Sequence, residues 1–417
     1  NLNTPTAIML DIKGPKIRTH NFINDGVELK ANQIFAFKCG TEITGNTQEC
    51  SISYSELYKD VNIGGTILVD DGLINFEIID INGKDIICKV LNDGVIKNHK
   101  GVNVPNVSIN LPSVTEKDKD DLVFGCKMGV DFVAASFIRK ASDIKEIRDL
   151  LNKNNGKNIQ IIAKIESQEG VNNIDSILEV ADGIMVARGD MGVEIPIEKV
   201  PIIQKKIIKK CNEAGKIVIT ATQMLDSMIR NSLPTRAEAC DICNAIFDGT
   251  DAIMLSGESA SGQYPIEAAN TMSKIAKETE LHLDYNYLNQ RLKEPAMYDF
   301  AEAISYSTCR TSNVLNAKAI VAATNSGATA KLVSKYKPKC PIIAITPHEE
   351  VMRGLSLNFG VYPVLCQEFA TTDDILNESK KIVAELNLAD KGDDIIVAAG
   401  MPTNYTGGTN MLKIEKL

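Results

Sequence analysis

No stretch of this chain approaches the roughly 18 uninterrupted apolar residues that a membrane-spanning helix needs, so no membrane partner is expected. The opening segment NLNTPTAIMLDIKG has neither a basic leader nor a small-residue cleavage site, and nothing in it is expected to direct secretion. There is no basic block and no Lys/Arg stretch interleaved with aromatics; together with a net charge of −9 this argues against nucleic acid as a partner and for a small molecule. Histidine is scarce, with four in 417 residues. The one C-x-x-C, Cys240 to Cys243, has no second pair and no histidine near it in sequence. Zinc is therefore not expected there, and the helical periodicity of TRAEACDICNAIFDG points to core packing instead. The ten cysteines are scattered through apolar segments of a long chain, as free thiols in a reducing compartment are, and the cytoplasm is the expected location.

What is present is a chain 44% hydrophobic, long enough for two or three domains. Its main pattern is a short apolar strand followed by a helical segment. Strands are expected at 6–12 (TAIMLDI), 131–137 (DFVAASF), 159–166 (IQIIAKIE), 183–190 (GIMVARGD), 216–222 (KIVITAT) and 251–258 (DAIMLSGE), with helix-like stretches such as KASDIKEIRDLLNKN between them. Strands apolar on both faces and separated by helices predict a parallel α/β sheet. A closed (β/α)8 TIM barrel has eight such units, whereas six are visible. Asn1 stands where a methionine would, and the first strand begins almost at once, so the reading is a barrel lacking its first two β/α units; an open doubly wound sheet is the alternative.

From 19 to 105 the pattern changes to short alternating strands with turn signals, including Asn82-Gly83 between two of them. This all-β insert interrupts the unit after the first strand and would hang over the strands' C-terminal ends, where a barrel keeps its active site and a lid belongs. A third unit restarts the strand–helix alternation with AKAIVAATN, CPIIAITP, VYPVLC and DDIIVAAG. The expected division is a barrel at 1–18 and 106–285, a lid at 19–105 and a C-terminal α/β domain at 296–417.

The expected strands end in polar residues. Lys164 and Glu166 are two apart, so they leave the same face of a strand. The next strand delivers Asp190, and neighbouring parallel strands lie about 4.8 Å apart. Two carboxylates so placed can share one hard cation, with Mg²⁺ (or Mn²⁺) the expected ion because no His or Cys is near. Gly189 allows close approach to the main chain, the Gly189 and Asp190 amides can bind an anion ahead of a short helix near Gly192, and Arg188 adds charge. Thr220, Thr222, Gln223, Ser256, Glu258 and Ser136 are expected at the same rim, while Asp11, Lys13, Lys16 and Arg18 crowd it after the Gly14-Pro15 turn. Taken singly, each also fits a surface charge where a strand meets a loop, and Lys164 with Glu166 also fits a plain ion pair.

These residues lie in blocks that resemble the pyruvate kinase family, in its order: LDIKGPKIRT, KGVNVP, AASFIRKASD, AKIESQEG, MVARGDMGVEIP, ITATQMLDSM, PTRAEACDICNAIFDGTDAIMLSGESASGQYP and GGTNMLK. The resemblance implies a (β/α)8 barrel, an inserted β-barrel lid and a C-terminal α/β domain, usually assembled as a homotetramer. It implies transfer of the phosphoryl group of phosphoenolpyruvate to ADP, giving pyruvate and ATP. By motif match, Lys164 stabilises the phosphoryl in flight and the developing enolate, Glu166 and Asp190 hold the divalent metal, and the Gly189 and Asp190 amides with Thr222 take the substrate carboxylate. Thr222 also helps position a water or proton relay. Arg18 and Lys100 match the nucleotide-phosphate contacts, and Asp11 and Ile12 fall at the monovalent-cation site.

Ile12 and Lys16 depart from the family's usual Thr and Glu, and the Lys16 ammonium is expected to stand in for K⁺. The family's N-terminal substrate arginine and Asn/Ser pair are absent, so these residues alone are expected to be inactive. The loop Thr324, Asn325, Ser326, Gly327, Thr329 resembles an effector-phosphate loop, and fits an ordinary capped helix equally well. FATTDDILNESKK lacks the tryptophan and arginine that grip the second phosphate of fructose 1,6-bisphosphate, so no activation by that bisphosphate is expected, which leaves a monophosphate or no effector. Another Mg²⁺ barrel acting on phosphoenolpyruvate or pyruvate is disfavoured by the lid and the basic turn, and a non-catalytic scaffold by the intact Lys164, Glu166 and Asp190.

Overall fold

The computed structural model describes residues 6–107, 109–285, 299–402 and 408–417. The start of the expected barrel, residues 286–298 from the end of that barrel into the expected C-terminal domain, and Gly407 of the GGTNMLK block lie outside the described residues.

Six strands, Met9–Ile12, Phe132–Ala135, Gln160–Ile165, Gly183–Ala187, Ile217–Ala221 and Ala252–Ile253, form one parallel sheet in which spatial order equals chain order. A doubly wound sheet reverses its order at a switch point. This one does not, and it is the wall of a nearly closed barrel. Both faces are covered, which is why the strands read as unbroken apolar runs. Val133, Ala163, Ile184, Val186 and Val218 pack outward against helix residues Ile147, Ile177 and Ile207. Phe132, Ala134, Ile162, Met185, Ile217, Ile219 and Ala221 fill the inside.

Every strand is shorter than the pattern predicts, and two stop well before their expected polar ends. GIMVARGD pairs only to Ala187, which faces Ala221, the last residue of the neighbouring strand. With no ladder beyond that pair, Arg188–Glu194 turns into a helix, so Arg188, Gly189 and Asp190 form its first turn instead of a strand end. DAIMLSGE likewise stops at Ile253, and Glu258 lies in the helix Gly257–Ala260.

The insert forms a seven-stranded sheet whose first and last strands, Ile17–Arg18 and Glu49–Ile52, are joined by a bridge from Thr19 to Ile52. Phe35, Phe37 and Phe76 fill its centre, their ring centroids 5.0–5.5 Å apart. The expected hairpin forms with Asn82 paired to Asp85, so the two turn residues are Gly83 and Lys84. In the C-terminal unit the four expected strands are joined by an antiparallel edge strand, Met411–Lys416, that the pattern did not reveal. The helix Arg236–Asp248 carries Cys240 and Cys243 as expected, but Cys240 is exposed; the buried face of that helix is Ile242, Ala245 and Ile246.

The C-terminal unit docks on the N-terminal ends of the barrel strands through paired charges. Asp251 Oδ2 accepts the Val218 N–H at 2.8 Å, and its Oδ1 takes Lys337 Nζ at 2.6 Å. Asp131 does the same with the Ile8 N–H and Arg353 Nε, at 2.9 and 2.8 Å. The Lys337 side chain is 3% exposed. Removing one partner of a buried pair strands the other charge, so Lys337→Ala should cost about 3 kcal/mol, read as a lower urea midpoint.

Candidate active site

Lys164 lies one residue before the end of its strand and Glu166 just past it. Lys164 Nζ donates to Ser136 Oγ at 2.8 Å and to both Asp11 oxygens at 3.2 Å, and sits 3.4 Å from Glu166 Oε1. Three adjacent strands thus deliver one ammonium and its partners to a single point. Burial pulls the Lys164 pKa down, but the Glu166 and Asp11 carboxylates outweigh it and leave the group above the ordinary lysine value. Glu166 is 1% exposed. Burial pushes its carboxyl up to about 7, against the opposing pull of Lys164, and Asp190 pushes it the same way.

Glu166 Oε2 accepts the Phe137 N–H at 2.6 Å, and Phe137 has φ 55°, the left-handed region that a bulky residue avoids. Glu166 Oε1 is fully buried and makes no hydrogen bond. A buried carboxylate oxygen left without a donor suits a cation. Among the described residues no group of three or more His, Cys, Asp or Glu side chains converges. The residues therefore fit a hard divalent ion that takes its other ligands from substrate oxygens and water.

On the next strand–helix junction, Gly189 N–H donates to Thr222 Oγ1 at 2.8 Å. Thr222 has φ 68°, a rare conformation for a β-branched residue. Arg188 is what holds it there: its guanidinium donates to the Ala221 carbonyl at 3.2 Å and the Thr222 carbonyl at 2.5 Å, with Asp241 neutralising it at 2.6 and 2.7 Å. The expectation that Arg188 adds charge to an anion site is corrected. Its charge is spent on Asp241, and it shapes the backbone. Nothing in the local pattern singled out Asp241, which lies 53 residues along the chain from Arg188.

Asp190 Oδ1 accepts from Lys16 Nζ at 2.8 Å, and the same ammonium lies 5.0 Å from the centroid of the Phe137 ring. Arg18 donates to the His99 carbonyl at 2.7 Å, and Lys100 pairs with Asp70 at 2.9 Å, both in the lid. The Ile12 side chain is 1% exposed and packed in the outer core, so only its main-chain carbonyl is open to a ligand role. Two expected rim residues face elsewhere. Thr220 is buried against Thr250, at 3.0 Å between hydroxyl oxygens. Glu258 is buried, accepting the Leu225 and Ser256 amides at 3.0 and 2.8 Å, because a carboxylate can cap two loop N–H groups at once. Gln223 is exposed, and the Ser256 hydroxyl is buried without a partner. In the C-terminal loop, Thr324 Oγ1 accepts the Gly327 N–H at 2.9 Å and Thr329 Oγ1 accepts from Thr409 at 2.8 Å, leaving Asn325 and Ser326 exposed.

The family model "Pyruvate kinase, barrel domain" matches residues 1–269, and "Pyruvate kinase, alpha/beta domain" matches 302–415. The chain belongs to the pyruvate kinase family. It is 66% identical to the pyruvate kinase of Clostridium perfringens over 99% of this chain and 87% of that protein. It is 53% identical to that of Geobacillus stearothermophilus, over 98% and 70%. A crystal structure of a pyruvate kinase from Cryptosporidium parvum superposes with a TM-score of 0.93 at 40% identity, covering 98% of this chain and 84% of that one. As a pyruvate kinase, the enzyme transfers the phosphoryl group of phosphoenolpyruvate to ADP, giving pyruvate and ATP, in a family that requires a divalent metal.

Proposed function

We propose that Lys164 is the residue that compensates charge on the moving phosphoryl group and on the enolate left behind, with Glu166 and Asp190 holding Mg²⁺ (or Mn²⁺). The observation that carries this is the buried Glu166 Oε1, which accepts no hydrogen bond and lies 3.4 Å from Lys164 Nζ. Phosphoryl transfer passes through a loose transition state with little covalent chemistry for the protein to perform, so positioning and charge compensation supply most of the rate. The metal supplies Lewis-acid neutralisation of the phosphate oxygens. Lys164, held by Ser136 and Asp11, stays protonated and aimed. Gly189, Asp190 and Thr222 bind the substrate carboxylate, for which the Gly189 N–H must leave Thr222 Oγ1 and the Thr222 hydroxyl must leave the Ala221 carbonyl to which it now donates. Thr222 orients a water or relay for protonation of the enolate, since a threonine hydroxyl is itself too weak an acid. Arg18 and Lys100 take nucleotide phosphates by leaving the His99 carbonyl and Asp70. The test is ADP- and Mg²⁺-dependent pyruvate formation by the full-length chain, which a scaffold retaining the fold would not show.

In the same reading Lys16, whose ammonium meets Asp190 Oδ1 at 2.8 Å, supplies the fixed cation that K⁺ supplies elsewhere in the family. KCl at constant ionic strength should then change kcat/KM little, and Lys16→Glu should make the rate depend on K⁺; strong stimulation of the parent enzyme would overturn this. The enzyme is read as a cytoplasmic homotetramer. The loop Thr324, Asn325, Ser326, Gly327, Thr329 takes at most one phosphate, through Asn325, Ser326 and its amides. Fructose 1,6-bisphosphate should therefore leave the half-saturating phosphoenolpyruvate concentration unchanged in a titration.

A further inference from the structure

The chain crosses between barrel and lid twice, and both crossings are tied to one helix. It enters the lid through Ile17–Arg18 and leaves through Gly101–Asn103, and these strands pair antiparallel, Arg18 against Gly101 and Ile17 against Val102. The two crossings are therefore one ribbon. Just before the ribbon on the entry side, Lys16 Nζ meets Asp190 Oδ1 at 2.8 Å. At its exit end, Asn103 Nδ2 donates to Glu194 Oε1 at 2.7 Å. Asp190 and Glu194 are four residues apart on the helix Arg188–Glu194, so they lie one above the other on the same face.

On its lid side the ribbon is the edge of the seven-stranded sheet, with Val102 and Asn103 paired to Val69 and Leu68. Between it and the barrel lies a cavity of about 340 Å³, lined by Ile17, Val102 and Asn103 on one side and by Phe137, Asp190 and Glu194 on the other. The returning chain is next fixed at Ile109 and Leu111, whose carbonyls accept from the Arg139 guanidinium. A sheet edge with a void between it and the barrel takes its angle over the barrel from the contacts that cross to the helix. Because the helix with those contacts also presents Gly189 and Asp190, a tilt of the ribbon and a shift of that first turn are mechanically one movement.

We propose that Glu194, through Asn103, is a positioning residue that sets the lid's angle over the barrel and couples it to the substrate-binding turn at Gly189 and Asp190. The coupling rests on the reading of that turn given above; the contact itself does not. Glu194 touches no reacting atom in this scheme. Its role is to keep the lid-borne Arg18 and Lys100 within reach of the nucleotide.

Amide hydrogen exchange on the full-length chain tests the contact, comparing the parent with Asn103→Ala, Glu194→Ala, their double variant and Glu194→Gln. Glu194→Gln keeps an oxygen able to accept from Asn103. Loss of one charge-assisted hydrogen bond should speed exchange in segments 16–20 and 100–104 roughly tenfold in either alanine variant, with no further gain in the double. Exchange in Glu194→Gln should stay near the parent's, and the amides of Ile184–Val186 should stay protected in all, which reports an intact barrel. In steady-state assays the alanine variants should raise KM for ADP by roughly fivefold with kcat changed far less, since a displaced lid weakens ground-state and transition-state contacts alike. Parent-like ribbon exchange in both alanine variants, or additive effects in the double, overturns the contact. A loosened ribbon with parent kinetics overturns its coupling to catalysis. Absence of pyruvate formation by the parent chain would instead overturn the assignment of the site.

Discussion

Replacing Lys164 with methionine should lower kcat by about a hundredfold to a thousandfold, the scale expected when a preorganised group that meets developing charge is removed. Methionine keeps an unbranched side chain, one heavy atom shorter, and removes the charge together with the N–H donors. The side chain it replaces is 13% exposed, and its ammonium is held by Ser136, Asp11 and Glu166. Its held geometry means that little reorganisation is needed as charge develops, and the loss should fall on kcat with KM for phosphoenolpyruvate changing much less. Coupled measurement of pyruvate formation at saturating ADP checks this. A variant within about tenfold of the parent would show that the ammonium acts only in packing or ion pairing.

Glu166→Gln should move activity and stability in opposite directions. The carboxylate is 1% exposed, and burial lifts its pKa from 4.5 to about 7. Because the folded value lies above the unfolded one, the native state holds the extra proton between them. The stability this contributes is complete below about 4.5 and is lost as pH rises through about 7. Glutamine has no proton to lose. In chelator, the variant should be more stable than the parent at pH 8 by up to roughly 3 kcal/mol, with the difference vanishing toward pH 4.5. Its Mg²⁺-dependent turnover should nevertheless fall by at least about a hundredfold, since a neutral amide is a poor ligand for a hard cation. Urea denaturation at the two pH values, beside a Mg²⁺ titration of rate, reads both effects. Equal stability at pH 8 would mean that Lys164 fully compensates the buried charge.

The local rules succeeded where the determinant is local. Lys164 and Glu166 were predicted to act together because a strand repeats every two residues, and the six barrel strands were visible because both of their faces are covered. Other expectations failed for a stated reason. Arg188 looks like a free cation until Asp241 is brought beside it. Thr220 and Glu258 look like rim residues until their hydroxyl and carboxylate are seen to satisfy buried groups. The polar ends of GIMVARGD and DAIMLSGE were assigned to strands, because no single-chain pattern reveals where the neighbouring strand's ladder stops.

The sequence by itself determined the strand–helix alternation, the all-β insert, the family and the residue types available for chemistry, because periodicity, turn residues and contiguous motifs are written within short windows. Tertiary structure alone decided which of those residues meet. Strand order and barrel curvature bring Asp11, Ser136, Lys164 and Glu166 to one point, and the lid's two crossings bring Lys16 and Asn103 onto a single helix. These contacts span 28 to 174 positions, except for Lys164 with Glu166, and depend on how whole elements pack. That information resides in the summed burial of the two faces of the sheet and not in any one segment.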